Sequence, residues 1–173
     1  MVSMLHILFL SLSILFTSIQ LNAEESETSI LPKQEAEVAL FTPPTGWRLA
    51  DSKALPPSVK VMVVGKGEHE FPPSMNLGTE SFSGTLQDYL KVIKDINDKQ
   101  GATWKDLGMI KTEAGEASLS QLDTKTEWGN VRMMHVILVK NGMVFILTSA
   151  ALQEEFPKFY KDFFTAMKTL RFN

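Results

Sequence analysis

Cysteine is absent from the 173 residues of this chain, and its absence excludes several kinds of chemistry. The chain has no disulfide bond, no thiolate ligand for a metal ion and no cysteine nucleophile. It also lacks the cysteine that carries the lipid anchor of bacterial lipoproteins. The stability of the fold must therefore come from a packed core, which a hydrophobic content of 44% can supply.

Clustered positive charge is also lacking. The 17 basic residues are balanced by 20 acidic ones, giving a net charge of −3, and no run of lysine or arginine occurs. Because surfaces that bind nucleic acids are usually basic, we expect no nucleic-acid partner. The glycines of Gly65-Lys66-Gly67 lack the spacing and the following helix of a phosphate-binding loop.

The N-terminal segment is the longest apolar stretch. Residues 1–23 contain no Asp, Glu, Lys or Arg, and residues 5–19 are nearly continuously apolar. This pattern is typical of a signal peptide cleaved after Ala23, although Leu21 stands where a small residue is usual. The alternative is an uncleaved membrane anchor, for which the run is short compared with about 20 residues. Under either alternative we expect a periplasmic or secreted protein, in contact with the membrane only if the segment is retained.

The strongest structural signal lies in the second half of the chain. Residues 24–37 are polar and acidic, which predicts a flexible linker before a single domain over residues 38–173. In that domain Asn141-Gly142 favours a tight hairpin turn between residues 131–140 and 143–150. Both faces of the first strand are mostly apolar, so we expect the hairpin in the middle of a sheet that is covered on both sides.

Two amphipathic helices can provide these covers. Thr85 and Asp88 have the spacing of a capping box, and Gly101 ends the apolar pattern that follows them. The first apolar stripe consists of Leu86, Tyr89, Leu90, Ile93 and Ile96. We expect the second helix to begin near Phe156, because Pro157 suits a first turn. Its stripe, interpreted as core, consists of Phe156, Phe159, Tyr160, Phe163, Met167 and Leu170.

The patterns of the remaining segments predict strands. Apolar or alternating runs predict strands at residues 38–41, 59–64 and 75–82, before the first helix. Residues 104–150 predict a four-strand antiparallel meander that ends in the central hairpin. The sequence thus predicts an α+β fold, an antiparallel β-sheet with helices on both faces, or α/β/α sandwich.

Four features in this order resemble the PsbP-like (Mog/PsbP) superfamily. They are Pro44-Thr45-Gly46-Trp47, the strand and helix over residues 76–101, the segment from Gly129-Asn130 through Asn141-Gly142 to Leu147-Thr148, and the closing helix with Leu170-Arg171-Phe172. The resemblance covers residues 38–173. It implies a PsbP-like domain in a small exported bacterial protein. Members include the extrinsic subunit of photosystem II and a fungal factor that binds the GTPase Ran; most bind or assist larger assemblies. No shared catalytic motif or cofactor is implied.

Histidine chemistry is limited to two residues after the N-terminal segment. His135 lies in an apolar strand, so we interpret it as a core residue with one hydrogen bond. His69 lies between Glu68 and Glu70, but three adjacent side chains do not easily converge on one ion, so we assign no metal site and leave cation binding by these three residues as an open alternative. A hydrolase remains an alternative that requires a histidine within reach of a hydroxyl and a carboxylate.

Large apolar residues on predicted loops are the best candidates for a binding surface. Phe71 lies in the loop of residues 65–73 and Trp128 at a hairpin tip, with Lys125 and Arg132 nearby. The alternatives are that Trp128 folds over a neighbouring strand and that the two cations are solvated. We expect a non-catalytic exported binding or accessory domain that acts on a protein partner or a small apolar ligand. A lipid- or envelope-binding carrier, with a pocket between the closing helix and the sheet, is a second possibility.

Overall fold

A seven-stranded antiparallel sheet forms the centre of the computed structural model, which describes residues 38–173. The expected signal peptide and linker lie outside the described residues. No helix within residues 38–173 has the length and hydrophobicity needed to cross a membrane.

The elements follow one another as strands, helix, meander and helix. The strands are β1 (Ala39–Leu40), β2 (Arg48–Leu49), β3 (Val59–Val64), β4 (Ser74–Ser81), β5 (Thr103–Thr112), β6 (Gly115–Thr126), β7 (Gly129–Lys140), β8 (Met143–Leu152) and β9 (Arg171–Phe172). The helices are α1 (Leu86–Lys99) and α2 (Phe156–Lys168). The main sheet has the order β2-β3-β4-β8-β7-β6-β5, so the predicted meander occupies one half of it.

The hairpin of β7 and β8 lies in the interior of the sheet, as predicted. Its two strands pair from Val131 opposite Leu152 to Lys140 opposite Met143. Asn141 and Gly142 have φ values of 52° and 72°, which is the left-handed conformation that a tight turn between twisted strands requires.

The two helices cover opposite faces of this hairpin. The α2 face buries Met134, Val136, Leu138, Phe145 and Leu147. The α1 face buries Ile137, Val144 and Ile146 against Tyr89 and Ile93. This arrangement confirms the predicted α+β fold with helices on both faces.

The start of α1 follows the predicted capping box. The Thr85 hydroxyl accepts a hydrogen bond from the Asp88 backbone N–H at 3.2 Å, and the Asp88 carboxylate accepts one from the Thr85 N–H at 3.0 Å. Gly101, with φ of 73°, lies just beyond the helix end. These bonds satisfy backbone groups that a helix terminus otherwise leaves unpaired.

The two ends of the described chain lie side by side. β1 pairs with β9 in a separate two-stranded sheet, and the Asn173 N–H donates to the Val38 carbonyl at 3.1 Å. β9 follows α2 after a short connection. The short β2 strand was not predicted.

Aromatic rings fill the space beneath α2. Phe163 is buried, with ring centroids 5.3 Å from Phe156 and 5.7 Å from Trp47. Phe159 also contacts Trp47 at 6.3 Å. The carrier alternative expects unfilled volume at these residues, whose rings pack against one another. Tyr160 was wrongly included in the core stripe: it is 49% exposed, because its position on α2 turns it away from the sheet.

Candidate functional site

Two separate chain segments border a groove at one end of the sheet. They are the turn between β6 and β7 and the connection between β8 and α2. The cavity has a volume of about 400 Å³ and is lined by Trp128, Gly129, Asn130, Leu152, Gln153 and Glu154, and we call it the Trp128 groove. Its volume lies within the range of small-ligand pockets.

The turn between β6 and β7 holds Trp128 at the edge of this groove. The Thr126 hydroxyl accepts a hydrogen bond from the Trp128 N–H at 3.2 Å and donates one to the Gly129 carbonyl at 3.0 Å. Gly129 has φ of 123°, a conformation that favours glycine. Trp128 is half-buried, so part of its ring remains available at the groove.

Phe71 supports Trp128 from inside the protein. The two ring centroids are 5.6 Å apart, so the structure brings these two predicted site residues together. Phe71 itself is only 2% exposed and belongs to a core cluster with Leu122, Val131 and Leu152. Of the two aromatic residues, therefore, Trp128 offers the surface and Phe71 provides its support.

The two predicted cations have different surroundings. Arg132 donates from Nε and Nη2 to the two carboxylate oxygens of Asp123, both at 2.8 Å, and these hydrogen bonds raise the pKa of Arg132. Its guanidinium also lies 5.9 Å from the ring centre of Phe156. Arg132 thus has an anionic partner within the chain. Lys125 is exposed and lies opposite Asn130, which lines the groove.

A cluster of charged residues lies beside the groove. Glu154 contacts His69, with 3.2 Å between Oε1 and Nε2, and Lys158 Nζ lies 2.9 Å from Glu68 Oε2. The hydrogen bond from Lys158 lowers the pKa of Glu68. Glu155 is 1% exposed; its Oε1 accepts a hydrogen bond from the Glu68 N–H at 3.0 Å.

Little in the sequence singles out Glu155. Its Oε2 is buried and has no hydrogen-bond partner. The residue precedes α2 as its N-cap, directly before Phe156 and Pro157. An acidic residue just ahead of a first-turn proline is the signal that marks the helix start, but that signal does not reveal that the carboxylate points inward.

His135 has the structural role predicted for it. Its Nδ1 lies 3.0 Å from the Thr148 hydroxyl, and its ring stacks on Trp104 with centroids 5.7 Å apart. Nε2 is buried without a partner, and burial lowers the pKa of His135 to about 4. Within residues 38–173, no histidine is hydrogen-bonded to both a hydroxyl and a carboxylate, which is the arrangement that the hydrolase alternative requires.

Comparison with known proteins identifies the fold through solved structures. No protein-family model and no curated protein matches the sequence. LpqN of Mycobacterium tuberculosis, described as involved in cell envelope biogenesis, is similar at a TM-score of 0.55 and 14% identity, covering 80% of this chain and 84% of LpqN. The cyanobacterial PsbP of Synechocystis is similar at a TM-score of 0.50 and 13% identity, covering 78% of this chain and 86% of that protein.

The chain has the PsbP-like fold. A third similar structure is PA94 of Pseudomonas aeruginosa, a protein of unknown function described as a putative regulator, with a TM-score of 0.55, 18% identity, and coverage of 72% of this chain and 95% of PA94. These similarities confirm the resemblance predicted from the sequence. At such low identities they establish the PsbP-like fold alone.

Proposed function

We propose that this PsbP-like chain is an exported, non-catalytic binding or accessory protein that contacts a protein partner through the Trp128 groove. The observation that carries this proposal is the position of Trp128. Its ring rests on the buried Phe71 and lines an open groove, so a partner gains apolar contact without the cost of reorganising the core. Half-buried tryptophans in such positions are frequent anchors of binding energy.

The rim of the groove supports a protein as the partner. Lys125 and Glu154 are exposed charges of opposite sign beside an apolar centre. Protein interfaces commonly combine an aromatic centre with a polar rim of this kind. An apolar side chain of the partner would fill the cavity, and the rim charges would set its orientation.

Export rests on the apolar segment of residues 1–23. The cell-envelope role of the structurally similar LpqN is compatible with it. Mass spectrometry of the protein isolated from its native cells tests this part of the proposal. We expect a chain that begins at Glu24; a chain that begins at Met1 or Val2 would contradict cleavage.

Site-specific photocross-linking tests the groove. A photoreactive amino acid is placed at Asn130, which is exposed and lines the groove, and the cells are irradiated before the envelope is fractionated. The matched control places it at Glu116, which is exposed at the opposite end of β6, roughly 30 Å away. We expect a discrete cross-linked species from position 130, absent from position 116, and lost when Trp128→Ala is added.

Two outcomes contradict the groove as the contact surface. One is an equal yield of cross-linked species from positions 130 and 116. The other is a yield from position 130 that Trp128→Ala leaves unchanged while the circular dichroism spectrum stays that of the wild type.

A small apolar ligand is the second candidate, favoured by the cavity of about 400 Å³ whose lining includes Trp128 and Leu152. The fluorescent probe 1-anilinonaphthalene-8-sulfonate tests it directly. We expect saturable binding to the wild type and at least tenfold weaker binding to Gln153→Trp, whose larger side chain occupies the groove. Equal binding to both proteins would exclude the groove as the ligand site.

A further inference from the structure

We propose that Glu68, His69 and Glu155 form a binding site for one divalent transition-metal ion, with Zn²⁺ as the best-fitting ion. Each residue offers one ligand atom, and the three atoms lie within 4.8 Å of one another. The site joins the loop of residues 65–73 to the start of α2. It adjoins the Trp128 groove, whose lining includes Glu154, but it does not depend on the function proposed for that groove.

The buried carboxylate of Glu155 is the observation that points to a ligand. Its Oε1 accepts one hydrogen bond, whereas Oε2 is fully buried without a partner. A buried carboxylate oxygen without a partner is costly, because it has lost water and gained no interaction in return. A metal ion at this position would supply the missing interaction.

The loop that carries the other two ligands packs against Oε2 at Gly67. A Cβ atom at Gly67 would lie 3.3 Å from Oε2 and 2.9 Å from the Pro73 side chain. A glycine at this position thus lets the loop backbone pass close to the carboxylate. The following residues, Glu68 and His69, then stand on the exposed side of Glu155.

The set of donors fits zinc better than calcium or magnesium. One imidazole nitrogen and two carboxylate oxygens are typical zinc ligands, whereas calcium and magnesium prefer oxygen ligands alone. Tetrahedral zinc holds its ligand atoms roughly 3.3 Å apart, so atoms that lie within 4.8 Å of one another must approach by at most about 1.5 Å. Glu68 and His69 are exposed and can make this movement by changing rotamers, while Glu155 stays in place.

The contacts of the exposed ligands show what the ion would displace. Lys158 Nζ lies 2.9 Å from Glu68 Oε2, and Glu154 Oε1 lies 3.2 Å from His69 Nε2. A bound ion would take the place of Lys158 as the positive charge beside the Glu68 carboxylate. Glu154 would become a fourth ligand or release His69. Glu70, the second acidic neighbour of His69 considered from the sequence, is not in this cluster, and Glu155 takes its place.

Titration calorimetry with ZnCl₂ on the untagged full-length chain tests the site. We compare the wild type with His69→Gln and Glu155→Gln, and we use Glu70→Gln as the matched control in the same loop. We expect one equivalent of Zn²⁺ to bind to the wild type and to Glu70→Gln. Affinity should fall at least tenfold in His69→Gln and in Glu155→Gln, and Ca²⁺ should bind more weakly than Zn²⁺.

Each result decides the proposal. No saturable Zn²⁺ binding by the wild type would overturn it, as would an unchanged affinity in His69→Gln, which would indicate adventitious binding. If Glu155→Gln does not fold, His69→Gln decides alone, because His69 is exposed and its replacement leaves the core intact. Thermal denaturation gives a second readout: Zn²⁺ should raise the melting temperature of the wild type and not that of His69→Gln.

Discussion

The ring of Trp128 packs on the ring of Phe71, with centroids 5.6 Å apart and planes inclined by 40°. This contact fixes the tip of the β6–β7 hairpin against the loop of residues 65–73. The two aromatic residues have different roles: Phe71 is the buried support, and Trp128 is the surface anchor. That division predicts different consequences for replacing each of them.

Phe71→Ala should destabilise the fold much more than Trp128→Ala. Removing a fully buried phenylalanine leaves a cavity and costs about 3–5 kcal/mol, and the half-buried Trp128 should cost about half as much. Urea denaturation of the two variants measures the difference, with Phe71→Leu as a control that restores most of the lost volume. Equal losses for Trp128→Ala and Phe71→Ala would place Trp128 in the core and weaken its assignment to the groove.

The ion pair of Arg132 and Asp123 should contribute measurable stability. Their side chains are 27% and 26% exposed and the contact is bidentate, so a double-mutant cycle of Arg132→Ala and Asp123→Ala should give a coupling of about 1 kcal/mol. The matched pair is Lys94 with Asp98 on the surface of α1, where about 0.3–0.5 kcal/mol is expected. A coupling for Arg132 no larger than that of this surface pair would mean that Arg132 is free to serve a partner.

The capping box of α1 should lose measurable stability when the Thr85 hydroxyl is removed. Thr85→Ala removes the acceptor for the Asp88 N–H and should lower the free energy of unfolding by about 1 kcal/mol. Thr85→Ser keeps the hydroxyl oxygen and should retain nearly all of the wild-type free energy of unfolding. Chemical denaturation measures both variants, and equal stability of Thr85→Ala and Thr85→Ser would show that the cap contributes nothing.

His135 should make the fold less stable in acid. Its pKa is about 4 in the folded protein, whereas an unfolded histidine titrates near 6.5. Between these values the unfolded chain binds a proton that the folded chain does not, so stability is lost as the pH falls from 6.5 towards 4. At about pH 4.5 this loss should amount to roughly 2–3 kcal/mol.

The control for this effect is His135→Gln, which keeps a hydrogen-bonding group near Thr148 and does not titrate. Urea denaturation at about pH 7.5 and about pH 4.5 measures how much free energy of unfolding each protein loses in acid. This loss should be smaller in His135→Gln than in the wild type by roughly 2–3 kcal/mol. The same pH dependence in both proteins would mean that other groups cause the acid sensitivity.

The fold could be predicted because its main signals are local. Asn141-Gly142 specifies a turn, the two apolar faces of β7 specify a covered strand, and Thr85 with Asp88 specifies a helix start. The prediction that Tyr160 belongs to the core was wrong. The apolar stripe of α2 is wider than the part of the helix that touches the sheet, and Tyr160 lies in the part of the stripe outside that contact. Helical spacing alone does not mark the limit of that contact.

The candidate sites depended on contacts between distant parts of the chain. Phe71 and Trp128 were both predicted as site residues, but only the fold shows that one supports the other. Glu155 gave no signal, because a carboxylate at a helix start is usually solvated. Its burial follows from the close approach of the loop at Gly67, which no local pattern encodes.

The pairing of β1 with β9 also places Val38 and Asn173 at the same end of the domain. The Trp128 groove lies near the start of α2, whereas the two ends of the described chain meet beyond its last turn, about 20 Å further along the helix. A tether at Val38 therefore leaves the groove at the distal end, turned away from the point of attachment. A fusion at Asn173 would emerge from the same place and leave the groove equally unobstructed.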